Sequence, residues 1–213
     1  KSALQLTEEW AKKLGQKYFY VSSTTVTGLL EDMKKLCNEN SADFAIFAWQ
    51  DLPFLNHKLT EELIKSHTDF KSEYTFADGY PYGFTPELID AGTLGILAEL
   101  SKTTQKEIGD SPVKRDSIYN LLKTDINSFE VEAELAPNDW RLYRFAFHCG
   151  KKENYLQCRA LVQAAGSKTA SLTADELSEI ASKTPGCLKT VPGFYNIQIS
   201  DKTHSVCVYL SYK

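Results

Sequence analysis

Clustered cysteines are absent from this sequence. Cys37, Cys149, Cys158, Cys187 and Cys207 are odd in number and at least eight residues separate any two, a spacing that belongs to neither a disulfide framework nor a zinc site. Positive charge is also short. The 24 Lys and Arg against 28 Asp and Glu give a formal charge of -4 and a pI near 5.6, without the basic footprint that DNA or RNA requires. No apolar run approaches the ~20 residues of a membrane span, and no charged-apolar-small leader opens the chain. These absences predict a soluble, cytoplasmic protein with neither nucleic acid nor membrane as partner. There is no internal repeat, and the opening residue, Lys1 rather than a methionine, reads as the trace of something removed upstream.

What is present is a core-forming composition. With 213 residues, 42% of them hydrophobic, the chain can bury the interior of one sizeable domain with an appendage. Helix and strand patterns alternate through its first half, as in βαβ units that build a mostly parallel sheet. Ala3, Leu6, Trp10 and Leu14 share a helical face that Gly15 closes. Lys17 to Val21 reads as a strand. Ser23 to Thr25 offers N-caps to a helix carrying Val26, Leu29, Leu30, Met33, Leu36 and Cys37 on one side. The unbroken apolar run Phe44 to Trp49 predicts a central strand covered on both faces, stopped by Gln50-Asp51-Leu52-Pro53. A helix from Lys58 to about Phe70, a strand from Glu73 to Ala77 and a surface loop from Asp78 to Gly83 follow. Leu94 to Leu100 and Asp116 to Leu122 read as helices, and Phe129 to Leu135 and Leu142 to His148 as strands. The remainder predicts a helix from Lys151 to Ala165, another opened by the capping box Thr173-x-x-Glu176, a linker from Pro185 to Gly193 and a strand from Tyr195 to Ile199.

Ligands of open parallel sheets bind beyond the carboxyl ends of the strands, which singles out Asp51. It either holds Mg²⁺, which takes one or two carboxylates together with phosphates and water, or caps the turn. His57, His67 and His148 read as structural groups, and Cys37 and Cys158 as core. Tyr80, Tyr82 and Phe84 either stack on a base or sugar or pack the loop. Arg141 and Arg144 either meet phosphates or are structural, and the favoured reading pairs Arg141 with Asp139 or Glu134.

The stretch Phe44 to Leu55, followed by a helix ending near His67, resembles the strand, turn and helix of nucleotidyltransferases that activate sugars. Tyr80-Pro81-Tyr82-Gly83-Phe84-Thr85-Pro86-Glu87 is similar to the Tyr-Pro-x-Gly-x-x-x-Glu stretch of cytidylyltransferases of the spore-coat-polysaccharide type. The resemblance runs in patches from Tyr18 to Leu161. It implies a three-layer α/β/α, nucleotide-diphospho-sugar transferase-like fold, with Asp51 as the metal ligand. Asp78, Tyr80, Gly83 and Glu87 become the contacts to a nucleotide or sugar phosphate. Two features of the family are missing. No glycine-rich phosphate loop precedes Asp51, so the first βα unit is absent or degenerate, and His148 or Cys149 stands where a late aspartate is usual.

Asp43 to Trp49, Tyr74 to Gly83, Lys123 to Asn127 and Phe194 to Ser200 resemble a narrower group, the spirochaete proteins that join such a domain to radical SAM and SPASM domains. That resemblance implies a nucleotidyltransferase-like domain over 1–166, a helical linker over 167–193 and the degenerate start of a radical SAM domain over 194–213. In the complete family a [4Fe-4S] cluster with S-adenosylmethionine is expected. Here its three cysteine positions fall on Thr203, Cys207 and Leu210, so this chain holds no such cluster. The resulting expectation is a binding or scaffold module of a larger radical SAM protein, with no catalytic residue assigned. The alternatives are an active cytidylyltransferase using Mg²⁺ and a protein-interaction domain that binds no nucleotide.

Overall fold

Thr25 opens the first long helix by accepting a hydrogen bond from the Gly28 amide, as an N-cap threonine does. In the computed structural model, which describes residues 3–19, 23–188 and two later strands, the helices are α1 (Ala3–Lys13), α2 (Val26–Asn40), α3 (His57–Phe70), α4 (Ala91–Thr103), α5 (Lys106–Gly109), α6 (Ser117–Leu122), α7 (Lys152–Ala165) and α8 (Ala174–Lys183). The strands are β1 (Phe44–Phe47), β2 (Tyr74–Asp78), β3 (Glu87–Asp90), β4 (Val131–Leu135), β5 (Tyr195–Ser200) and β6 (Ser205–Leu210). Among the described residues no helix is long and apolar enough to cross a membrane.

Two compact units divide the chain. One comprises Lys1–Ala45 with Ile89–Glu130, the other Ile46–Leu88 with Val131–Lys213. In the first, α2 packs on α4, burying Val26, Leu30, Leu94 and Leu97. The Thr27 and Ser101 hydroxyls meet across that seam at 2.9 Å, and Lys102 reaches Glu31 at 2.6 Å. Helix α1 ends as expected before Gly15, whose φ is 68°, but its apolar residues Leu6, Trp10 and Leu14 are exposed. The strand expected over Lys17 to Val21 does not form over Lys17 to Phe19; Tyr20 and Val21 lie outside the described residues.

In the second unit, β2 and β4 run parallel, with Asp78 opposite Leu135, and α3 packs against both. Its buried face, Leu59, Leu63 and His67, follows the helical repeat. Phe54, Leu59, Phe84, Phe145, Phe147, Cys158, Leu161, Ala174, Leu177, Ala181 and Cys187 form one core cluster. Helix α8 therefore supplies core residues from within the 167–193 segment. The capping box that opens it is complete. Strands β5 and β6 pair antiparallel in a separate two-stranded sheet.

Three expectations are corrected. The sheet order is β1-β3-β2-β4, so β1 is an edge strand among the described residues, and it is only four residues long. The short strand β3, hidden in the sequence behind Pro86, takes the place beside it, and Ile46 is left 49% exposed. The loop Asp78 to Gly83 is only in part a surface loop, for Gly79, Pro81 and Gly83 are buried, as is the next residue, Phe84, while Tyr82 is exposed. Leu142 to His148 is not a strand either. Asp139 accepts the Arg141 amide and starts a 3-10 turn over Trp140–Tyr143, and Arg144 then takes a left-handed φ of 50°. Only Ala146 bridges onward, parallel to Tyr82. Tyr143, Phe145, Phe147 and Phe84 stack successively with 5.3 Å between ring centroids, so ring packing, not a ladder, orders this segment.

Candidate functional site

The polar residues singled out in the sequence gather on the loops that leave β1 and β2, within the second unit. Strand β3 follows β2 after residues 79–86, which contain no helix, and a parallel return would need a crossover of a dozen or more residues. Strand β3 therefore runs back against β2, which brings Glu87, its first residue, to the edge where β2 ends at Asp78. The loop after β1 is tied to the same edge. Asn56 donates its amide to the Phe84 carbonyl at 2.8 Å, and Cys149 donates its amide to the Asp51 carbonyl at 2.9 Å.

Asp51 faces an imidazole. Its Oδ2 lies 3.8 Å from His148 Nδ1, with the Asp51 side chain 29% and the His148 side chain 10% exposed. Around His148, the Gly150 amide donates to Nδ1 at 3.2 Å, the Asn154 side chain meets Nε2, and the Tyr82 ring stands edge-on at 5.9 Å. Since Nδ1 accepts from Gly150, the proton of the neutral ring sits on Nε2 and needs an acceptor. Turning the Asn154 amide to present Oδ1 provides that acceptor and also gives a partner to an oxygen otherwise buried without one.

The four expected ligand contacts have different fates. Asp78 accepts the Gly79 amide at 2.8 Å and faces Arg141 Nη1 at 3.3 Å. Arg141 in turn binds Asp139 through Nε and Nη2, both at 2.9 Å, the structural pairing expected for it. Gly83 serves packing, since a Cβ there would stand 2.2 Å from the Phe147 carbonyl oxygen. Glu87 is half-buried at the start of β3. Tyr80 lines an open pocket of about 230 Å³ together with Asn56, Lys58, Glu62, Thr173 and Asp175. Burial, then the negative charges of Glu62, Asp175 and Glu134, push its phenol up to about 12, so it is a hydrogen-bond donor throughout the neutral range. Asp175 also accepts the Trp140 indole N–H at 2.9 Å.

Sequence reasoning set His148 aside as structural, and it missed Glu62 and Asp175. No spacing relates those carboxylates to Tyr80; only the packing of α3 and α8 does. A larger groove of about 340 Å³ lies in the first unit, where Lys34, Lys35 and Lys102 alternate with Glu31, Glu39 and Glu99. Its charges balance, as on a solvated helix pair.

Among the described residues, no three His, Cys, Asp or Glu side chains are grouped to hold a metal ion. Asp51 offers one carboxylate of the one or two that Mg²⁺ takes beside phosphates and water, and the His148 imidazole stands 3.8 Å from it.

This is the fold of the cytidylyltransferase-like nucleotide-diphospho-sugar transferases. The chain superposes on a cytidylyltransferase from Leptospira borgpetersenii serovar Hardjo-bovis with a TM-score of 0.68, over 88% of this chain and 75% of that one, at 17% identity. In sequence it is 26% identical over 135 residues to the spore coat polysaccharide biosynthesis protein SpsF of Bacillus subtilis, covering 63% of this chain and 53% of SpsF. It is also 34% identical over 83 residues to an uncharacterized protein of Treponema pallidum, covering 39% of this chain and 21% of that protein. A second uncharacterized Treponema pallidum protein is 32% identical over 77 residues, or 36% of this chain and 34% of its own length. The chain thus spans about half or less of the curated relatives it matches. No family model matches it.

Proposed function

We propose that this cytidylyltransferase-like chain binds a nucleotide or sugar phosphate at the carboxyl edge of its sheet and does not turn it over, acting as a binding or scaffold module of a larger radical SAM protein. The observation that carries the reading is the placement of the His148 imidazole against Asp51, with Nδ1 3.8 Å from Oδ2. Nucleotidyl transfer depends on fixed positive charge or metal ions to neutralise the phosphates, and His148 stands against the carboxylate that would hold the ion. Tyr80, with its protonated phenol beside a pocket, supports retained binding. The cytidylyltransferase and SpsF named above support the ligand class. The larger radical SAM context rests on the resemblance of Asp43 to Trp49, Tyr74 to Gly83, Lys123 to Asn127 and Phe194 to Ser200.

Calorimetric titration with CTP, UTP and sugar phosphates, with and without Mg²⁺, tests the proposal alongside an assay for pyrophosphate release. The expected result is saturable binding of one of these ligands, weakened in Tyr80→Phe, with no nucleotide sugar formed. Formation of a nucleotide sugar replaces this reading with an active cytidylyltransferase. Failure of every ligand to bind replaces it with a protein-interaction domain.

A further inference from the structure

Helices α2, α3, α4 and α8 each begin with a side chain, from Thr25, Asn56, Asp90 or Thr173, that accepts a first-turn amide. Helix α7 begins otherwise. Its N-cap is Lys151, whose side chain does not cap it, and among the described residues no backbone carbonyl accepts from the Lys152, Glu153 or Asn154 amide. A helix of 14 residues thus starts with amides open to an anion, at the positive end of its dipole. Lys151 and Lys152 are exposed beside them, and the exposed Glu153 offsets one of the two charges.

A buried side chain points to the same place independently. Asn154, at the third position of α7, is only 3% exposed, yet one of its polar atoms lacks a partner whichever way its amide is turned. As placed, that atom is Oδ1. With Oδ1 turned to the His148 Nε2 proton, the two Nδ2 hydrogens take its position. A Cα–Cβ bond in a helix leans toward the N-terminus, so these donors lie on the side of the open amides. A buried donor without a protein partner calls for an acceptor from outside.

This turn is tied to the sheet edge. Cys149 donates its amide to the Asp51 carbonyl at 2.9 Å, and the Gly150 amide donates to His148 Nδ1 at 3.2 Å. The residues that lead into α7 are therefore held against the loop after β1, before which no glycine-rich phosphate loop occurs. We propose that the first turn of α7, with Lys151 and Lys152, binds a phosphate group and stands in for that loop. The proposal rests on the sheet-edge reading only for the source of the phosphate, a nucleotide or a sugar phosphate. The Lys152 and Glu153 amides and Asn154 Nδ2 donate to the phosphate oxygens, and the two ammonium groups neutralise their charge.

The test is NMR titration of the isotope-labelled chain with inorganic pyrophosphate, joined to calorimetry with CTP, UTP and sugar phosphates. Saturable shifts of the Lys152 and Glu153 backbone amides and of the Asn154 side-chain amide are expected, with an affinity that falls as salt rises. The double variant Lys151→Ala/Lys152→Ala should weaken pyrophosphate roughly tenfold or more, as lost charged hydrogen bonds do. Lys168→Ala, in the exposed turn after α7, should leave it unchanged. Shifts spread over surface lysines without saturation, or full affinity in the double variant, overturn the proposal. A nucleotide or sugar phosphate whose binding is weakened by Tyr80→Phe but indifferent to the double variant also overturns it, and leaves the proposed function standing. Pyrophosphate held at α7 when no nucleotide or sugar phosphate binds keeps the site and removes the proposed function.

Discussion

His67 and Thr75 show how a polar residue is housed inside this protein. His67 is 4% exposed and Thr75 fully buried, and the Thr75 hydroxyl meets His67 Nδ1 at 2.8 Å, so a histidine read as structural from the sequence has the partner that reading requires. Thr75→Val keeps the shape and removes the hydroxyl, which should cost about 1–3 kcal/mol because a buried polar atom loses its partner. Urea denaturation measures it. Gly83 is the counterpart on the backbone side. Its φ of +109° and the Phe147 carbonyl at 2.2 Å from any Cβ leave no room for alanine. Gly83→Ala should destabilise by roughly 1–3 kcal/mol from the backbone conformation alone, and more if the aromatic column is displaced. An unchanged urea midpoint would return Gly83 to the ligand contacts.

Among the elements, α8 was the most legible, because its start is written in a short local code. The Thr173 hydroxyl accepts the Glu176 amide at 3.2 Å, and the Glu176 carboxylate accepts the Thr173 amide at 2.7 Å. Thr173→Ala should cost about 1 kcal/mol, as N-cap removals do, and α8 transmits that loss to the core through Leu177 and Ala181. The same contacts set a pH dependence. Hydrogen bonds from Thr173, backbone first, hold the Glu176 carboxyl below its ordinary value, and the Arg141 side chain holds Asp139 low in the same way. A carboxyl lowered on folding stabilises fully above its unfolded value, and the gain disappears as pH falls through the lowered one. Urea midpoints measured from neutral pH downward should therefore drop on the acid side of the ordinary carboxylate range, and Glu176→Gln should flatten part of that drop. The 145–147 segment was less legible. Its aromatic residues carry the alternation of a strand, yet a left-handed Arg144 and ring stacking arrange them otherwise.

At the scale of the molecule, a ligand that binds only the folded chain must raise its stability by mass action. With CTP at ~100 times its dissociation constant the gain should be about 2.7 kcal/mol, read as a rise in the thermal midpoint. Tyr80→Phe should reduce that rise. A midpoint that stays fixed with CTP, UTP and sugar phosphates alike would leave the sheet edge without a ligand, and the proposed function would fall with it.

Local code determined much of this protein. Periodicity and caps located α2, α3, α7 and α8, because a helix face and its N-cap are properties of neighbouring residues. Alternation and turn residues placed β2, β4 and β5, and the position after β1 marked Asp51. What only the tertiary structure decided were relations between distant residues: the place of β3 between β1 and β2, the burial of Gly79, Pro81, Gly83 and Phe84, the imidazole of His148 beside Asp51 and the carboxylates around Tyr80. The physical reason is that these arrangements are set by packing between elements, and sequence spacing carries no record of which faces meet.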